Sequence, residues 1–214
     1  MLKKAKGLIV VISAPAGCGK TTLCKRLLQA SPSFICSVSF TTRAPRKNEI
    51  EGVDYYFVSR EEFEKLIKEN VFVEWAEVHG HLYGTSGDFL RKNIKAGKDV
   101  VLEVDVKGGR KIKEKYPEAI LIFILPPSWK ELEKRLRGRA TEEEKSIRQR
   151  LRTAKEEIKY LPYYDYFVVN DDVNLALKEI LTIIEAERNK IKRISQDELS
   201  TVIGNTKFMK GEKH

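Results

Sequence analysis

Lys20 and Thr21 directly follow a turn that carries Gly17 and Gly19, in the stretch Ile12 to Leu23, ISAPAGCGKTTL. A lysine and a hydroxyl placed after a glycine turn suit the holding of phosphate. Small residues let backbone N–H groups converge on phosphate oxygens, and a helix start adds unpaired donors and a positive dipole end. Lys20 would reach the β- and γ-phosphates of a nucleotide, and Thr21 would ligate Mg²⁺. The candidate phosphate loop is therefore Ala14, Pro15, Ala16, Gly17, Cys18, Gly19, Lys20, Thr21 and Thr22. It departs from the pattern G-x-x-x-x-G-K-[ST] at one place, where Ala14 stands for the first glycine. Alanine is tolerated there if the residue does not need φ > 0.

The loop needs a strand before it and a helix after it. The apolar run Leu8 to Ile12 supplies the strand, and Leu23, Leu27 and Leu28 mark the inner face of the helix. Downstream, Phe34 to Phe40 reads as a strand and Tyr55 to Val58 as a short one. Ser59 and Glu62 form a capping box that starts a helix to about Lys68. Val71 to Val78 alternates as a strand that continues through a turn into HGHLYGTS, and a helix follows from about Gly87 to Lys95. Asp99 to Val106 has the continuous apolar character of a buried parallel strand. A basic helix over Lys107 to Tyr116 and the strand Ala119 to Leu125 come next. Ser128 with Glu131, and Thr141 with Glu144, open two further helices. Asp165 to Val169 reads as a strand, and Asp172 caps a last helix to about Ile191.

Strands separated by helices argue for a parallel α/β core. The segment 37–96 breaks that rhythm with several short strands and reads as an inserted lobe. The expected fold is an α/β protein: a parallel-sheet core (1–36, 97–126 and 160–194), a mixed α+β lobe (37–96), a helical lid (127–159) and a mobile tail (195–214). Lys and Arg number 40 against 31 Asp and Glu, a net charge of +9, which attracts polyanions without choosing among them. Cys18, Cys24 and Cys36 lack metal-ligand spacing and read as reduced thiols of a cytoplasmic protein. No run approaches the roughly 20 apolar residues of a membrane span.

The motifs SAPAGCGKTTL, SFTTRAPRKNEIEGVDYYFV, FVEWAEVHGHLYGTS, LEVDVKGG, FILPPS, RLRGRATEEEKSIRQRL and VVNDD occur in one order. Together they resemble the guanylate kinase family of nucleoside monophosphate kinases, over about residues 7–190. The resemblance implies transfer of the γ-phosphoryl of ATP to GMP with Mg²⁺, and a core, a GMP-binding lobe and a lid. It implies small-molecule substrates, with neither a membrane nor nucleic acid as partner, and it leaves the oligomeric state open.

Chemistry supports the residues the resemblance points to. Guanine presents N1–H and an amino group, both donors, and a carboxylate only accepts, so Glu74 is the candidate for the base. By resemblance Ser39 and Thr85 add hydroxyls; the family often has serine where Thr85 stands. The GMP phosphate needs cationic forks, for which Arg43 and Arg46 are placed, with Tyr55 and Tyr83 matching the family's phosphate-contacting tyrosines. Glu103 and Asp105 lie at the C-terminal end of a core strand, where α/β sheets place ligands. Alternation would put both on one face. The resemblance assigns them to guanine and ribose contacts and, for Asp105, to Mg²⁺ through water. The family usually has aspartate at position 103 and glutamine where Lys107 stands. Arg135, Arg139 and Arg150 match lid and hinge arginines, and guanidinium stabilises charge on a moving phosphoryl group. Lys20, Arg43, Arg139 and Arg150 form the expected catalytic set. Asn170 resembles an adenine-side contact. Ala140 replaces a glycine common in the family.

Three other readings compete: a kinase for another nucleotide or a phosphorylated sugar, a non-catalytic guanylate-kinase-like binding module, and a nucleic-acid binder. Glu74 with Ser39 and Thr85 opposes the first, the intact phosphate loop opposes the second, and only charge suggests the third.

Overall fold

The computed structural model describes residues 6–78, 80–138, 144–194 and 200. Five parallel strands form the core sheet: β1 (Ile9–Ser13), β2 (Phe34–Cys36), β7 (Asp99–Glu103), β8 (Ile120–Leu125) and β9 (Tyr166–Val169), in the order β2-β7-β1-β8-β9. β1 lies in the middle, and all five of its residues are buried. Its side chains alternate between two cores. Val10 and Ile12 join Leu23 and Leu27 of α1 (Lys20–Ala30) and Ile180 and Ile184 of α7 (Val173–Arg188). Ile9 and Val11 join Leu90 of α3 (Gly87–Lys95) and Ile112 of α4 (Val106–Lys115). Helices on both faces explain why these strands read as unbroken apolar runs.

Four shorter strands build a second sheet, ordered β4-β3-β6-β5: β3 (Ser39–Thr41), β4 (Tyr55–Phe57), β5 (Phe72–Val78) and β6 (His81–Ser86). Only the β3–β4 pair is parallel. Phe63 of α2 (Arg60–Lys68) stacks on Phe72 with ring centroids 4.6 Å apart, and with Leu82 they make a small separate core. The run 34–40 is thus two strands in two sheets. The last core ladder bond is Ser37 N–H to Val101 O at 3.0 Å, after which the chain crosses to the lobe. Alternation of side chains carries no signal for such a change of sheet.

Capping chemistry sets several helix starts. The hydroxyl of Ser59 accepts from Glu62 N–H, that of Ser128 from Glu131 N–H, and the carboxylate of Asp172 from Asn174 and Leu175 N–H. α7 ends at Arg188, short of the expected Ile191, and a single turn of 3₁₀ helix spans Ile191–Arg193. α5 (Trp129–Arg137) and α6 (Glu144–Ile158) occupy the expected lid segment. Their inward residues Leu132, Leu136, Ile147 and Ala154 are buried in the same core as α1 and α7. The cap at Thr141, Arg139, Ala140 and all but residue 200 of the C-terminal tail lie outside the described residues, as does His79. Among the described residues no helix is long and apolar enough to cross a membrane.

Candidate active site

The phosphate loop leaves β1 at Ser13 and turns into α1 at Lys20. Gly17 and Gly19 have φ of 92° and 83°, where side chains are strained. A Cβ on Gly17 would lie 3.0 Å from Leu136 Cδ2, and one on Gly19 2.4 Å from Asn170 Nδ2. Asn70 is the one non-glycine with positive φ among the described residues, so Ala14 sits in an ordinary conformation and its methyl is accommodated. α1 has no side-chain cap and no acidic residue in its first turn. Its first N–H donors are therefore left for an anion. Cys18 is fully buried, and burial pushes its thiol up to about 12 despite Arg135 nearby. That makes it an inert spacer rather than an oxidation-sensitive thiol.

Neighbouring elements hold the loop. Asn170, after β9, donates from Nδ2 to Cys18 O at 2.8 Å, and Arg135 Nη1 donates to Asn170 O at 2.9 Å. The side chain expected at adenine thus fastens the loop itself. Lys20 Nζ donates to Val104 O at 3.1 Å, which carries the lysine across to the end of β7.

There a cavity of about 180 Å³ brings Lys20, Ser39, Tyr55, Glu74, Tyr83, Glu103 and Asp105 together from both sheets. Glu74 is 6% exposed and does not face solvent. Thr85 Oγ1 donates to its Oε1 at 2.6 Å, so the charged head has the partner it needs. Burial, helped by Asp105 and opposed by the Thr85 bond, raises the Glu74 carboxyl to about 7. A bulge in β5 between Phe72 and Glu74 leaves Phe72, Val73 and Glu74 all buried. Strict alternation would have turned one of each neighbouring pair outward.

Glu103 and Asp105 both reach the cavity, but not by strand alternation. β7 ends at Glu103, and Asp105 caps α4, accepting from Gly108 N–H at 2.6 Å. The acid beside Thr21 is Glu103, whose Oε1 accepts from Thr21 Oγ1 at 2.6 Å. These hard oxygen donors fit Mg²⁺.

Arg43 and Arg46 behave differently from each other. Arg43 Nη2 donates to both oxygens of Glu49, at 2.7 and 2.8 Å, and its guanidinium lies 5.3 Å from the Tyr55 ring centroid. Arg46 lines a neighbouring cleft with Thr21, Lys25 and Glu103 rather than the cavity. Arg150 is half-buried on α6. Sequence reasoning passed over Glu49 and Glu157. Glu157 has a buried Oε2 with no hydrogen-bond partner, and burial raises it to about 7, against the pull of Lys20. The signal was present: Glu157 falls three residues after inward-facing Ala154 on α6, so it shares the buried face. For Glu49 the signal was the first acid after a cluster of three basic residues, Arg43, Arg46 and Lys47.

A glycine loop between a central parallel strand and a helix, with an inserted lobe completing the cavity, defines a P-loop α/β nucleotide-binding protein. The family model described as guanylate kinase matches residues 6–187. A guanylate kinase of Caldanaerobacter subterraneus subsp. tengcongensis is 48% identical over 190 residues, covering 89% of this chain and 92% of the relative. One of Clostridium tetani is 50% identical over 189 residues, covering 88% and 90%. The crystal structure of guanylate kinase from Anaplasma phagocytophilum superposes with a TM-score of 0.78 at 36% identity, covering 96% of this chain and 99% of that one. The chain belongs to the guanylate kinase family.

Proposed function

We propose that this protein transfers the γ-phosphoryl group of ATP to GMP or dGMP, giving ADP and GDP or dGDP. One observation carries the choice of acceptor: a buried carboxylate, Glu74, held by Thr85 in the same cavity as Lys20. Guanine's N1–H and amino group would donate to Glu74, whereas adenine would present an acceptor at N1 and leave the buried acid unpaired. Ser39 adds a hydroxyl at the base. Arg43, Arg46, Tyr55 and Tyr83 would hold the acceptor phosphate.

On the donor side the loop N–H groups and Lys20 would bind the β- and γ-phosphates. Thr21 and Glu103 would hold Mg²⁺, with Asp105 acting through water; when bound, the ion supplies charge neutralisation on the phosphates. An acceptor phosphate oxygen attacks the γ-phosphorus, and the bond from that phosphorus to the β,γ-bridging oxygen breaks as ADP leaves. The acceptor phosphate has a second pKa near ~6 and is mostly deprotonated at neutral pH, so no general base is required. Arg135, Arg139 and Arg150 would stabilise the charge spread over the moving group. Closure of lobe 37–96 and lid 127–159 would exclude water and limit ATP hydrolysis. Three free thiols, two of them buried, support a reducing cytoplasm.

A coupled assay with ATP and GMP, dGMP, AMP or UMP tests the reading. GMP and dGMP should turn over and AMP scarcely at all. Comparable AMP turnover would remove Glu74 from base selection.

A further inference from the structure

We propose that Glu49 is a positioning residue for the acceptor's phosphate, fixing the Arg43 fork before the ligand arrives. The inference rests on the acceptor reading above and adds a residue to it. Arg43 Nη2 donates to both oxygens of the Glu49 carboxylate, at 2.7 and 2.8 Å. Nη1 donates to Ala44 O at 2.7 Å. The same carboxylate accepts from Arg46 N–H at 2.8 Å, and Glu49 N–H donates back to Arg46 O at 3.0 Å. One acid therefore buckles the whole turn that carries both arginines.

The pair is sheltered, with Arg43 13% and Glu49 16% exposed at the side chain. Arg43 also lies against the Tyr55 ring, while the Tyr83 phenol supports its charge. Burial works against an ionised Glu49, yet the Arg46 N–H and the Arg43 fork hold its carboxyl below the usual range. The N–H groups of Arg43 that Glu49 and Ala44 leave unengaged are those available to a phosphate. A long side chain held at one end loses less conformational freedom when its other edge binds.

Charge and geometry predict opposite signs, which makes the inference testable. Glu49→Gln removes a negative charge beside the phosphate, so charge alone predicts tighter GMP binding. Loss of the fork's anchor predicts weaker binding. Calorimetric titrations of wild type, Glu49→Gln and Glu49→Asp with GMP and with guanosine separate the two, alongside steady-state kinetics. We expect Glu49→Gln to weaken GMP roughly tenfold or more, the loss of a charge-assisted hydrogen bond. Guanosine affinity and the KM for ATP should stay within about threefold, while the KM for GMP rises with the lost affinity. Glu49→Asp, which keeps the charge, should recover part of the loss. GMP binding as tight as wild type in Glu49→Gln would overturn the inference, as would an equal loss for guanosine and ATP. Wild-type protein with no GMP affinity would overturn the acceptor reading and the inference with it, a result visible without any variant.

Discussion

The proposed donor and acceptor halves of the site are built on different physical plans. The donor half is a nine-residue loop with its flanking strand and helix, and backbone geometry makes it. Gly17 and Gly19 supply the positive φ, and the α1 N-terminus supplies free donors. Leu132, Leu136 and Asn170 press the loop against the main core. The proposed acceptor half is made of side chains from separated segments: Ser39, Tyr55, Glu74 and Tyr83 at the cavity, with Arg43 beside Tyr55, on a lobe with its own small core of Phe63, Phe72 and Leu82. A backbone site is rigid because the fold is rigid. A side-chain site needs partners such as Thr85 for Glu74 and Glu49 for Arg43 to set each group.

The comparison breaks most visibly at Lys20. Lys20→Ala should lower kcat by roughly 10³-fold or more, since it removes a positive charge aimed at the moving phosphoryl group. GMP affinity should change little. Near-normal kcat would deny the loop its role.

Phe63→Ala tests whether the lobe stands on its own core. Phe63 is fully buried, and its removal should destabilise by about 3–5 kcal/mol. Denaturant melts and separate titrations should show GMP affinity lost and ATP affinity retained. If ATP affinity falls in step, the two halves share one cooperative unit and the contrast fails.

A smaller effect sharpens the electrostatics. In the empty protein Glu74 titrates near about 7, raised chiefly by burial. In the proposed base contact guanine needs the ionised form, so guanosine binding should release a proton near neutrality. Affinity should fall by up to about tenfold per unit as pH drops below about 7. The sign for stability is opposite: a raised carboxyl pKa favours the folded state most below the unfolded value, and that contribution is lost as pH rises through about 7. Calorimetry of guanosine in two buffers of unlike ionisation enthalpy measures the proton directly, without the phosphate's own titration. Binding with no proton exchange would remove Glu74 from the base contact.

Much of this molecule is legible locally. The phosphate loop, the caps at Ser59, Ser128 and Asp172, and the buried strands β1, β7 and β8 follow from neighbouring residues alone. So does α3, whose bounds match the sequence reading at both ends. The split of 34–40 between two sheets was not legible, nor was the bulge that buries Glu74, because alternation records faces and not sheet membership or register.

Short-range chemistry, namely glycine conformations, capping hydroxyls and apolar periodicity, was enough to write the donor loop and the α/β frame into the chain order. Which acid meets which partner was decided only in three dimensions: Glu103 at Thr21, Asp105 on the start of α4, Glu49 across the Arg43 fork and Thr85 under Glu74. Backbone preferences act between neighbours in sequence. Side-chain pairings act through space, between residues whose separation along the chain says nothing about their distance.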